Sequence, residues 1–173
     1  MSKKGLSGRV RWYRKYHRQF GVVLLAFVIL SSATGLLLSW KKDVSLIQPP
    51  TQKGQAQTLS EWKSLDELAT IASDLMPNNQ IDRLDIRPDK GIVKVIFVDG
   101  SWEVQLDGAT GEVLSHARRH SDWIEQLHDL SIISDGVKLV TMNLLAFGLL
   151  VLGFSGFWLY FGPKLIRKRK LEK

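Results

Sequence analysis

The chain has 173 residues, no cysteine and a formal net charge of +7, a length that allows one modest domain with accessory segments. The missing cysteines exclude disulfide frameworks, thiolate zinc sites, CxxC redox pairs and Cys-ligated iron–sulfur clusters. Charge is segregated: residues 1–19 carry seven Lys/Arg and no acid, residues 163–173 carry six Lys/Arg and one Glu, and the remaining eleven Lys/Arg lie among sixteen acids. Basic ends around an acidic middle argue against a nucleic-acid partner, which calls for cations gathered on one folded face.

Residues 1–19 form a basic segment that leads into residues 20–40, a run from Phe20 to Trp40 without an ionisable side chain. Residues 139–162, from Leu139 to Gly162, likewise carry no Asp, Glu, Lys, Arg or His. Each is long enough to cross a hydrocarbon core of about 30 Å as a helix. The first is too long for the apolar part of a cleaved signal peptide and ends in Trp40, Lys41 and Lys42, so it reads as a retained anchor. Two buried core helices of a soluble protein would need a larger surrounding domain than the hundred or so remaining residues provide.

The flanks set an expected orientation. Lys3, Lys4, Arg9, Arg11, Arg14, Lys15 and Arg18 precede the first span, and Lys164, Arg167, Lys168, Arg169 and Lys170 follow the second. By the positive-inside rule both termini are cytoplasmic and the middle lies outside, in the periplasm if the cell is Gram-negative and the membrane its inner one. Trp12, Tyr13, Tyr16, Trp40, Trp158 and Tyr160 fall where interfacial aromatics belong.

Between the spans, residues 41–58 read as a polar linker broken at Pro49-Pro50, with no apolar periodicity to bury a face. Residues 59–120 read as a small α+β domain. A helix begins after Ser64, which forms a capping box with Glu67, and carries Leu65, Leu68, Ile71, Ala72 and Leu75 as its stripe until Pro77. Strands follow around Leu84 and Ile86, from Ile92 to Val98, and from Trp102 to Asp107, with turns at Pro88-Asp89-Lys90-Gly91 and Asp99-Gly100. Trp102, Val104 and Leu106 alternate with Glu103, Gln105 and Asp107, the pattern of a strand with one wet face. The acids Asp82, Asp85, Asp89, Asp99, Glu103 and Asp107 are accordingly expected in solvent. A last short strand covers Glu112 to Leu114, and one helix on an antiparallel sheet is the economical architecture. Residues 121–138 read as an amphipathic pre-membrane helix carrying Trp123, Ile124, Leu127 and Leu130, and residues 163–173 as a basic tail.

The segment Val104-Gln105-Leu106-Asp107-Gly108-Ala109-Thr110-Gly111-Glu112-Val113-Leu114 resembles the last hairpin of a PepSY domain, with its D-x-x-T-G-x-V form. Tyr16-His17-Arg18-Gln19-Phe20-Gly21, Thr34-Gly35-Leu36, Leu127-His128 and Ser155-Gly156-Phe157-Trp158 resemble, in the right order, motifs of the PepSY-associated transmembrane family. Larger members have four or more membrane helices, whereas this chain has two, and Gln19 stands where an aromatic is common. The resemblance implies an external PepSY-like domain between two helices. It also implies kinship with di-haem inner-membrane reductases of ferric siderophores, whose ligand histidines correspond to His17 and His128. Isolated PepSY domains are associated with peptide binding or protease inhibition.

Imidazole is the ligand available for a b-type haem in a cysteine-free membrane protein. The bilayer separates His17 from His128, so they cannot share an iron. A twofold dimer would supply the second ligand at each level and make a four-helix bundle. The expected function is therefore a haem-binding electron-transfer or reductase accessory in iron uptake, in a homodimer or larger membrane complex with a flavin- or haem-bearing redox partner. A membrane-tethered peptide-binding or protease-inhibiting module and an assembly factor are the alternatives. Each His also has an ordinary explanation, interfacial anchoring for His17 and helix packing for His128.

No stand-alone catalytic motif stands out. His116 and His120 are expected on different elements, short of a zinc ligand set. Gly153-Phe154-Ser155-Gly156 reproduces the GxSG of intramembrane serine proteases, but no base is expected within reach of Ser155 because all four histidines lie outside the apolar runs. Ala146, Gly148, Gly153, Ser155 and Gly156 read instead as small residues for close helix contact, with Asn143 as an interhelical hydrogen bonder.

Overall fold

The computed structural model describes residues 3–171. The side chains of Lys3, Lys4, Arg169 and Lys170, part of the flank pattern above, lie outside the described residues. The chain divides into two compact units, Met1–Thr34 with Leu127–Lys173, and Gly35–Gln126.

The first unit consists mainly of two long helices, α1 (Lys3–Ser39) and, far along the chain, α4 (Asp135–Leu171), each of 37 residues. At 1.5 Å per residue each is about 55 Å long, well beyond a hydrocarbon core of about 30 Å, so helix continues past the apolar run into the basic flank. α4 does not stop at Gly162 as the apolar run does, but carries on through Pro163. The most apolar window of α1 is 6% buried and that of α4 is 0% buried within the chain. Core helices of a soluble protein would be covered by protein; these present Val22, Val23, Ile29, Leu144, Phe147 and Phe154 outward, the surface that lipid covers.

α1 and α4 run antiparallel. A Cβ added to Gly148 would overlap the Leu24 side chain, so the missing side chain is the space that leucine occupies. Tyr13 and Trp158 approach at 6.4 Å between ring centroids nearer the N-terminus of α1.

The second unit carries α2 (Leu65–Leu75) and a four-stranded antiparallel meander, β1 (Ile81–Arg87), β2 (Ile92–Phe97), β3 (Trp102–Asp107) and β4 (Val113–Arg118), in spatial order β1-β2-β3-β4. The capping box is formed: Ser64 Oγ accepts from Glu67 N at 3.2 Å, and Glu67 accepts from Ser64 N at 2.9 Å. Those contacts, led by the Ser64 N–H, hold the Glu67 carboxyl below its usual range. α2 packs Leu68 and Ala72 on Val93, Val95, Phe97, Val104 and Leu106, with Trp62, Ile71 and Leu84 around them. β4 runs to Arg118 and is longer than expected, because its pairing with β3 continues to Trp102 opposite Arg118.

The other sheet face overturns the expectation of a wet surface. Glu103 and Gln105 are 0% exposed and Asp107 1%, and Lys94 on the neighbouring strand is 2% exposed. Residues 47–57, which lack apolar periodicity, cover this face through hydrogen bonds rather than apolar contact. Gln52 N donates to Gln105 Oε1 at 2.8 Å, Gln105 Nε2 to Pro50 O at 3.0 Å, and Gln55 N to Asp107 Oδ2 at 2.7 Å. Gly54 makes this approach feasible, since a Cβ there would lie 2.1 Å from Gly91 O. Asp107 also accepts from Ala109 N and Thr110 N at 2.8 and 3.0 Å, which shows what the D-x-x-T-G pattern does: its aspartate fixes both the turn and the linker. Burial alone would raise this carboxyl; the N–H groups of Thr110, Gln55 and Ala109 outweigh it and hold the group below its usual range.

α3 (His120–Asp129) ends earlier than the expected 121–138 helix. Leu130 takes a left-handed φ of 60°, and Asp129 Oδ1 accepts from Ser131 N at 3.0 Å, turning the chain before α4.

Candidate functional site

Both histidines singled out in the sequence lie in the helical unit, and each meets a hydroxyl of the opposite helix strand. His17 on α1 has Nδ1 2.8 Å from Ser155 Oγ on α4. His128, at the end of α3, has Nδ1 2.9 Å from Thr34 Oγ1 on α1, with Ser31 Oγ at 3.5 Å. The two histidines are not brought together. His17 and the partner of His128, Thr34, are separated by about 25 Å along α1 at 1.5 Å per residue.

Each hydroxyl also has a backbone carbonyl within reach, and this bears on which ring nitrogen carries the proton. Ser155 Oγ donates to Leu152 O at 3.1 Å, and Thr34 Oγ1 donates to Leu30 O at 2.7 Å, the usual back-bonding of helical Ser and Thr. Each hydroxyl has one proton, so with that proton on a backbone carbonyl its oxygen accepts from the imidazole Nδ1–H. The remaining nitrogen, Nε2, then carries a free lone pair, and neither Nε2 has a hydrogen-bond partner among the described residues. An imidazole oriented through Nδ1–H with Nε2 open is the form in which histidine ligates a metal.

Gly156 lies beside one ring: a Cβ there would stand at ordinary contact distance, 3.4 Å, from His17 Cε1. The Thr34-Gly35 and Ser155-Gly156 motifs thus each provide the acceptor for one histidine. Sequence reading assigned Ser155 to helix packing and missed its pairing with His17. The available signal was that a hydroxyl residue immediately precedes glycine in each span.

The same contact corrects the expectation that no base lies near Ser155. His17 is within hydrogen-bond distance of Ser155 Oγ, which also reaches Leu152 O. A nucleophilic serine needs a base oriented by a third group, and the far ring nitrogen of His17 has no hydrogen-bond partner among the described residues.

At the turn beyond His128, Asp129 Oδ2 pairs with Lys138 Nζ at 2.7 Å. Burial would raise the Asp129 carboxyl, but the contacts from Lys138 and Ser131 outweigh it and bring it down to about 2. This ion pair fixes the corner on which His128 sits.

The other histidines lie in the sheet unit. His116, on β4, packs its ring against Trp102 at 4.8 Å, and Arg118 stands over the same indole at 4.9 Å. His120 is the first residue of α3. No group of three or more His, Cys, Asp or Glu suited to a metal ion occurs among the described residues.

No curated protein matches the chain. The family model of the PepSY-associated TM region matches residues 14–172, which takes in both long helices, the helix-and-sheet unit between them and both His–hydroxyl pairs. The chain is a membrane protein of the PepSY-associated transmembrane family, with two helices long and apolar enough to cross a bilayer.

Proposed function

We propose that this protein is a haem-carrying electron-transfer or reductase accessory of the inner membrane, linked to ferric-siderophore uptake, with both termini cytoplasmic and the sheet unit periplasmic. The observation that carries the reading is the pair of imidazoles whose Nδ1 meets a hydroxyl that also reaches a backbone carbonyl, with no partner on Nε2 among the described residues. The donor set fits a b-type haem: neutral imidazole, apolar helix surroundings and no competing thiolate. Bound there, haem would supply one-electron chemistry, and His17 and His128 would hold one group towards each end of the apolar spans.

With one histidine at each level, a second ligand would have to come from another chain. A twofold dimer would bring His17 towards its copy and His128 towards its copy in a four-helix bundle, so that each pair of histidines could hold one group. Thr34 and Ser155 then orient ligands rather than bind iron. The open side of α4 around Gly153, beside which a Cβ would meet nothing within 4 Å, offers a surface of low relief for such packing.

The decisive test is haem quantitation per chain and the absorbance spectrum of full-length protein purified in mild detergent after haem-replete expression. A Soret band with dithionite-reducible α and β bands is expected, lost in part by His17→Ala or His128→Ala and wholly by both. Thr34→Val is expected to weaken haem retention by about 10- to 100-fold, the usual effect of removing a ligand's outer hydrogen bond. Protein free of haem after such expression would overturn the assignment.

A further inference from the structure

The sheet unit contains a polar cleft of about 660 Å³ that the haem reading does not use. It is lined by the buried Lys94 and Arg119, by the exposed Lys42 and Lys90, and by Gln48. Two features of the lining are unusual for a closed structure. Lys94 is 2% exposed, yet its ammonium, which has three N–H donors, makes one hydrogen bond, to Glu103 Oε1 at 3.2 Å. The Gln48 Oε1 atom is buried and has no hydrogen-bond partner among the described residues. Buried polar atoms are almost always satisfied, so an ammonium with unused N–H groups and an unpaired amide oxygen, on two residues that line the same cleft, point to an occupant that supplies the complement of both.

The charge identifies the class of that occupant. The carboxylates lining the cleft, Asp85 and Asp89, are already engaged by Arg87 and Lys90 at 3.1 and 3.5 Å. Glu103 is shared between Lys94 and Arg119, whose NH1 lies 2.9 Å from Glu103 Oε2. Cations therefore remain in excess, and among the described residues no carboxylate forms an ion pair with Lys42. An anion with several acceptor oxygens meets the open Lys94 N–H groups, and a hydroxyl on the same molecule donates to Gln48 Oε1. Chain position explains how such a ligand arrives: Lys41 and Lys42 follow the last residue of α1, Ser39, by two and three positions, at the level where a membrane helix meets lipid headgroups.

We propose that this cleft binds a phosphate-bearing anion that also carries a hydroxyl, in the form of an anionic glycerol-type lipid headgroup or a soluble phosphate ester of the same chemistry. Lys94 and Arg119 are its buried cations, Gln48 accepts from the hydroxyl, and Lys42 and Lys90 attract and retain the anion. Glu103 keeps the two buried cations in place between binding events. The site is independent of the histidines and stands or falls without haem.

The test uses the full-length chain in nanodiscs of phosphatidylcholine, without and with phosphatidylglycerol, and in a third arm phosphatidylcholine nanodiscs with added glycerol 3-phosphate. Thermal unfolding of the sheet unit is followed by tryptophan fluorescence, and binding constants come from titration. Stabilisation by phosphatidylglycerol alone places the headgroup in the cleft, and stabilisation by glycerol 3-phosphate places a soluble ester there; either supports the site. Lys94→Met, which leaves Glu103 paired with Arg119, is expected to weaken binding at least tenfold, while Lys53→Gln, the same charge change away from the cleft, leaves it unaltered. Should Lys94→Met not fold, the double variant Lys42→Gln, Lys90→Gln is expected to weaken binding several-fold. No stabilisation by either ligand overturns the proposal. Equal loss in Lys53→Gln and the cleft variants does so as well, since that marks general surface attraction.

Discussion

In the helical unit the polar contacts of the two histidines are small and part-buried, His17 with Ser155 and His128 with Thr34 and, at 3.5 Å, Ser31, set in apolar helix. In the sheet unit Glu103 alone accepts from Lys94, Gln105 and Arg119, and Arg119 also reaches Asp122 at 3.0 Å. The difference follows from what surrounds each unit. Lipid offers no hydrogen bonds, so the helices satisfy their own backbone and admit few further polar groups. The sheet unit is covered by an irregular, polar segment, and its buried face is satisfied by a network in which each member depends on the others. A deletion should therefore cost far more in the network than in the isolated pairs.

The largest effect is expected at Glu103. Glu103→Ala leaves Lys94 and Arg119 buried without their shared carboxylate, a loss of about 3–5 kcal/mol. Arg119 cannot escape by neutralising: burial works to lower its pKa, but Asp122 and Glu103 outweigh that and hold it above its ordinary value. Urea unfolding of the detergent-solubilised chain, followed by tryptophan fluorescence, measures the loss. A change below about 1 kcal/mol would mean that the pair behaves as a solvent-exposed one. Next comes Asp107→Ala, which removes the acceptor for Gln55, Ala109 and Thr110 and is expected to cost about 1.5–3 kcal/mol. Its distinguishing sign is local: hydrogen exchange should accelerate at Gln55 and around residues 109–111, while the α2 interior is affected less.

The same contrast explains what could be read from the amino-acid sequence. The capping box at Ser64 and Glu67, the turn at Gly100 and the two apolar runs are local signals, and each has its structural counterpart. The apolar alternation of β3 correctly placed Val104 and Leu106 against α2. It was silent on the opposite face, because alternation records that two faces differ and not whether the polar one is wet. What covers Gln105 and Asp107 is contact with residues some fifty positions earlier in the chain, made by backbone amides that leave no periodic trace, while Glu103 is held by Lys94, Gln105 and Arg119. The site was legible in the same uneven way. His17 and His128 stand out as the histidines nearest the apolar runs, but Ser155 is 138 residues from His17, and the turn at Leu130 breaks any simple register between the spans.

A smaller effect is expected in the membrane pair. Thr34→Val keeps the side-chain shape and removes the acceptor for His128, and interhelical hydrogen bonds in bilayers are worth about 0.6 kcal/mol on average. Titration of the folded chain with a denaturing detergent should show a shift near that size. A loss comparable to that of Glu103→Ala would remove the distinction between the two units.

The subtlest effect is pH-dependent and tests the corner that carries His128. The Asp129 carboxyl titrates at about 2 in the folded chain against an ordinary 3.8. A lowered folded-state value means that the unfolded chain binds the proton more tightly. The contribution is therefore fully present above the ordinary value and is lost as pH falls from about 4 towards about 2. The carboxyl faces Lys138 and Ser131 and is still reached by solvent, so the gain is screened and modest. Asp129→Asn abolishes the titration and should remove this acid-dependent step while leaving behaviour near neutral pH little changed. Hydrogen exchange at Ser131 N, which donates to Asp129 Oδ1, reads the step directly: protection should fall with acidification in the native chain and stay level in the variant. Acid loss of protection in both would assign the step to another carboxylate and leave the corner held by backbone geometry at Leu130 alone.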